Sequence, residues 1–126
     1  MRQFPYLIAL AAALMSPAPA TAHHSFGAFN VARTETMRGI VERFDWTAPH
    51  TMTHIRSLRA SDEGVVHELE GMSPDYLGRR GWIRTTLAAG DEIELDYFPR
   101  RDGEPGGMLV SVVLADGTRK IMIDVE

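Results

Sequence analysis

Five histidines and the absence of cysteine define the chemistry open to this chain. Two of the histidines, His23 and His24, are adjacent and directly follow Ala20-Thr21-Ala22, a small-residue cleavage signal. Cleavage after Ala22 would make His23 the first residue. Its free α-amino group and its imidazole would then form a chelate suited to Cu or Ni. Ala18-Pro19-Ala20 also fits the cleavage pattern, and a cut there would leave Thr-Ala-His. That arrangement encloses Cu(II) or Ni(II) in a square plane of amine, two amides and imidazole.

A second group is His50, Met52 and His54. Strand side chains alternate, so all three would share one face. His50 and His54 would lie about 13 Å apart at ~3.3 Å per residue, too far to share one metal on a straight strand. His50 with Met52, or Met52 with His54, would each make a two-ligand fragment for Cu(I). The plainer reading is that these three are simply one face of a strand, with Thr51, Thr53 and Ile55 on the other. His67, between Val65 and Leu69, reads as a buried, hydrogen-bonded histidine rather than a ligand.

Other chemistries find little support. Without cysteine there is no zinc finger, thiolate site, haem attachment or disulfide. Ser25 beside His24 has no orienting acid, and there is no phosphate loop, nucleotide fingerprint or paired-carboxylate motif. The scattered methionines Met37, Met72, Met108 and Met122 read as core filling, and Trp46, Trp82 and Tyr76 as core or rim aromatics. A histidine-brace copper enzyme would need a second histidine near His23. The balance is against an enzyme.

The first 22 residues read as a secretory signal peptide. Arg2 supplies the positive start, Leu7 to Met15 is an unbroken run of nine apolar residues, and Ser16-Pro17-Ala18-Pro19 breaks any helix. That run falls short of the ~20 residues a spanning helix needs. The expected division is a signal peptide over 1–22, an arm over 23–34 that Phe26 and Phe29 could pin, and one domain over 35–126, in the periplasm or secreted. Loss of Arg2 would leave 12 basic against 17 acidic side chains. This balance argues against nucleic acid as a partner.

Strand patterns follow residue 34. Glu35 to Trp46, His50 to Leu58 and Val65 to Glu70 are the first three, with Gly39 expected to mark a bulge or sharp coil in the first. Ser73 is a good N-cap, Pro74 suits the first helical position, and Asp75 favours the positive helix end, which predicts one short helix. Glu92 to Phe98 alternates Ile93, Leu95 and Tyr97 against Glu92, Glu94 and Asp96. Met108 to Ala115 and Thr118 to Val125 follow, joined at the hairpin signal Asp116-Gly117. Three strands, a helix and two or three more strands is the order of a small all-β, OB-fold-like closed barrel of five to six strands. Another small barrel or sandwich is the competing arrangement.

His23-His24-Ser25-Phe26, Gly39-Ile40-Val41, Trp46 through Pro49-His50, Ser73-Pro74 through Leu77 and Gly81-Trp82, and Gly90-Asp91 occur in that order. In this the chain resembles a family of small exported proteobacterial proteins of unknown function, and Ala48 stands where that family tends to have asparagine. The resemblance implies an exported β-barrel domain and supplies no activity. Two functions remain open. One is a metal-binding protein, copper foremost, using His23, His24 and His50 with Met52 or His54. The other is a non-enzymatic binding module for a peptide, a glycan or an envelope protein, with its ligand across strands two and three.

Overall fold

The computed structural model describes the backbone of residues 24–125 and the side chains of residues 26–125. The predicted signal peptide and His23 therefore lie outside the described residues. The elements are α1 (His24–Gly27), β1 (Glu35–Asp45), β2 (Met52–Ser57), β3 (Val66–Glu70), α2 (Pro74–Gly78), β4 (Glu92–Pro99), β5 (Gly106–Val113) and β6 (Arg119–Ile121).

The strands form one sheet in the order β3-β2-β1-β4-β5-β6, and a parallel β3–β5 pairing closes the first five into a barrel. The OB-like expectation holds, with β6 added beside β5. The eleven-residue β1 makes closure possible. Its first half pairs with β4 (Glu35↔Tyr97 to Ile40↔Glu92) and its second with β2 (Gly39↔Ser57 to Asp45↔Met52). The register shift falls between Val41 and Arg43, not at Gly39 as the sequence suggests. Gly39 answers to crowding instead. A Cβ there would stand 2.2 Å from Ile55 Cγ2 and 2.9 Å from the Arg56 carbonyl oxygen. The two strands approach too closely for any side chain, which is the other use of glycine in a strand.

The alternation in β4 places Ile93, Leu95 and Tyr97 in the interior beside Met37, Val41, Ile55, Leu69, Leu109 and Val112. α2 plugs one end. Ser73 Oγ accepts from the Tyr76 N–H at 3.2 Å, Pro74 opens the helix, and Leu77 points inward with no exposure. Truncating such a leucine to alanine costs about 2–5 kcal/mol. Trp82 follows and donates its indole N–H to the Ile121 carbonyl at 2.9 Å, tying the plug to β6.

A second apolar cluster covers the outer face of β4 and β5. Phe98, Met108 and Val110 lie under Phe29 of the N-terminal arm, with Ile123 beside them. Backbone bonds fix the arm: the Asn30 N–H donates to Pro99 at 2.9 Å and the Arg101 N–H to Ala28 at 2.9 Å. Phe29 pins the arm as expected, whereas Phe26 is exposed.

Candidate functional site

A cleft of ≈ 490 Å³ opens where the β2–β3 and β4–β5 loops meet. Its floor is a network of five polar side chains from four parts of the chain. Arg59 and Asp62 come from the β2–β3 loop, His67 from β3, Tyr97 from β4, and Glu35 from the start of β1. The register Glu35↔Tyr97 puts phenol and carboxylate side by side. Tyr97 Oη donates to Glu35 Oε2 at 2.8 Å. The Arg59 guanidinium grips Asp62 with Nη2 at 2.7 Å and Nε at 3.0 Å. Its Nη1 reaches Glu35 at 3.2 Å and Tyr97 at 3.3 Å. Asp62 also accepts from Ser57 Oγ at 2.7 Å and meets His67 Nε2 at 2.7 Å.

Asp62 therefore accepts hydrogen bonds on both oxygens, a setting that favours the carboxylate strongly. The Arg59 bonds, helped by Ser57 and His67, hold its carboxyl well below the ordinary aspartate range. The same Asp62 bonds hold Arg59 firmly protonated. The Tyr97 phenol is the main cause that lowers Glu35, with Arg59 and Arg33 assisting. Burial and the neighbouring Glu35 carboxylate raise Tyr97.

His67 and Asp62 resemble an acid–base dyad at first sight, but the geometry speaks against one. Only 4% of His67 is exposed, and its second nitrogen, Nδ1, is buried without a hydrogen-bond partner among the described residues. A general base needs an accessible nitrogen within hydrogen-bond reach of substrate. The expectation of a buried, hydrogen-bonded His67 holds.

The residues singled out for metal binding lie elsewhere. His24 has its backbone in α1 and its side chain outside the described residues. His50 sits ahead of β2, where Thr47 Oγ1 donates to its carbonyl at 3.0 Å, and its Nε2 lies 3.5 Å from Glu70 Oε1. Met52 and His54 are half-buried on the outer face of β2, while Thr51, Thr53 and Ile55 fill the interior. His54 meets different partners from His50. Its Nε2 is 2.9 Å from Arg43 and 3.3 Å from Asp45, and its Nδ1 is 3.8 Å from Glu68. Arginine can only donate, so in the neutral ring Arg43 takes the Nε2 lone pair a metal would need. His50 and His54 are not brought to one point, and no three metal-ligating side chains converge among the described residues.

Sequence reading missed Glu35, Arg59 and Asp62 and placed Tyr97 only in the core. Asp62 lies in Ser61-Asp62-Glu63-Gly64, a stretch that reads as a loop by its turn chemistry, and Arg59 carries no motif. The one available signal was His67 on an apolar face, which required a buried partner from somewhere.

Residues 11–110 match the model of a family of unknown function, DUF6152. The chain belongs to that family. No curated protein and no solved structure matches it. No helix among the described residues is long and apolar enough to cross a membrane.

Proposed function

We propose that this chain is an exported, non-enzymatic binding module that takes a ligand in the cleft between its β2–β3 and β4–β5 loops. The observation that carries the reading is the network under the cleft. Five polar side chains, linked in one hydrogen-bond network through Arg59 and Asp62, support a concavity of ≈ 490 Å³. That size lies within the ordinary range for ligand sites, about 300–1,000 Å³. Groups fixed before binding lower the ordering cost of association. On the outer face of β2 and β3, where the sequence would put a ligand, His54 pairs with Asp45 and Glu68, and Arg56 with Glu42. Protein-observed NMR with a fragment library tests the proposal. Shift changes should gather at Arg59, His67, Tyr97 and Gly106. Hits that gather on the outer face of β2–β3, or no hits at all, would sink it.

A second reading is a copper site that joins the N-terminal histidines to the barrel. Glu70 Oε1 is buried and has no hydrogen-bond partner among the described residues, although His50 Nε2 lies 3.5 Å away. Such an oxygen suits a cation. Glu70 pairs in register with both Met52 and Met108, and Met108 packs in the cluster that holds Phe29. The arm is thus anchored one strand away from Glu70, five residues after His24. His23, His24 and His50 would supply nitrogen, Glu70 oxygen, and Met52 a further donor, a mixed set suited to copper. Calorimetry with Cu(II) on protein beginning at His23 should show tight binding, lost when an extra residue precedes His23 and weakened in Glu70→Gln. Binding no tighter than micromolar ends this reading.

A further inference from the structure

The cleft gathers arginines on a chain whose formal net charge is −4. Four guanidinium groups line it, Arg33, Arg59, Arg100 and Arg101, against the carboxylates of Glu35, Asp62 and Glu104. Most of these charges are already engaged. Arg33 pairs with Glu35 at 2.5 Å, Arg59 with Asp62 at 2.7 Å, and Arg100 with Asp102 through Nε at 2.9 Å and through Nη2. The Arg101 side chain makes no hydrogen bond or ion pair with any described residue. Its backbone is nevertheless fixed, because its N–H donates to Ala28 and the neighbouring Arg100 N–H donates to Gly106 at 3.2 Å.

Glu35 and Asp62 spend their acceptor capacity inside the floor, so among the charged lining groups the Arg101 guanidinium and the Glu104 carboxylate are the ones not engaged in a hydrogen bond or ion pair with a described residue. A guanidinium held at its root and free at its head fits a carboxylate or phosphate, which it binds through two parallel bonds. Val65 and Pro105 add apolar surface to the lining.

We infer that the cleft binds a small organic anion, with a carboxylate or phosphate monoester held by Arg101 and a short apolar body set against Val65 and Pro105. This rests on the cleft reading above.

Isothermal titration of the processed chain with hexanoate, hexyl phosphate and neutral hexanol tests the inference, on wild type, Arg101→Glu and Arg84→Glu. Arg84 is exposed and lies outside the cleft lining, so its reversal controls for overall charge. At least one anion should bind, and the preferred one identifies the carboxylate or the phosphate as the natural group. Arg101→Glu should weaken it by about tenfold or more, the size of a lost charge-assisted contact, and Arg84→Glu by less than about twofold. Equal weakening by the two reversals overturns the inference. Hexanol binding as well as the anions overturns it too, while leaving the cleft reading intact. If neither anion binds but library fragments still perturb Arg59 and Tyr97, the charge assignment fails and the cleft stands. If nothing binds, both fall.

Discussion

Two regions of this barrel gather the same residue types and treat them differently. At the cleft, Arg59, Asp62 and His67 hold one another with side-chain exposures of 32%, 20% and 5%. On the outer face of β1–β2–β3, Arg43, Asp45, His54 and Glu68 do the same with 64%, 31%, 14% and 67%. Water screens the second set and competes for its hydrogen bonds. Exposed pairs of this kind contribute roughly 0–1 kcal/mol. The first set is partly desolvated, so each partner depends on the others, and removing one leaves groups that neither water nor protein satisfies well. Arginine, histidine and carboxylate together therefore say little until their burial is known.

The sharpest way to break this comparison is Asp62→Ala. It removes the acceptor shared by Arg59, Ser57 and His67, and should cost about 2–4 kcal/mol, less than a fully buried pair because Asp62 keeps some exposure. Urea unfolding of the variant reads it directly. A loss below ~1 kcal/mol would place the cleft network in the same class as the outer face.

Acid titration gives the next largest effect. Asp62 and Glu35 both have lowered carboxyl pKa values in the folded chain. Their contribution is fully present above the unfolded values of about 3.9 and 4.3, and is lost as pH falls through the folded values. Wild type should lose stability steadily below pH ~4, and Asp62→Asn should lose it less steeply over the same window. Urea midpoints measured at successive pH values decide the matter, and parallel curves would remove Asp62 from the acid response.

The smallest effect belongs to the outer face. His54→Ala should change stability by less than ~1 kcal/mol, because its carboxylate neighbours can turn to water. Thermal melting that shows a drop comparable to Asp62→Ala would mean the outer cluster is coupled more tightly than its exposure suggests.

Much of the frame was legible before any coordinates. Ser73-Pro74 announced α2, and the alternation through Ile93, Leu95 and Tyr97 announced β4 and its inward face. At Asp116-Gly117 the turn forms, with the Leu114 N–H donating to Thr118 at 2.9 Å. These signals are local: each depends on residues a few positions apart, where capping, φ freedom and period-two alternation act. Gly39 was legible as special but not for the right reason, because its constraint comes from Ile55 and Arg56 across the strand pair. The cleft network was not legible at all. Tyr97 and Glu35 are 62 positions apart, and Arg59 and Tyr97 are 38 apart.

The sequence by itself determined an all-β chain, its strand order, its one well-capped short helix and the burial of His67. Period, propensity and turn chemistry reside in neighbouring residues. Only the tertiary structure decided which polar groups meet. It set His50 against Glu70 and His54 against Arg43, and it built a cleft from a loop, two strands and the start of a third. Those meetings follow from barrel closure, through the long β1 and the parallel β3–β5 pairing. Closure depends on register across distant strands, which no local pattern encodes.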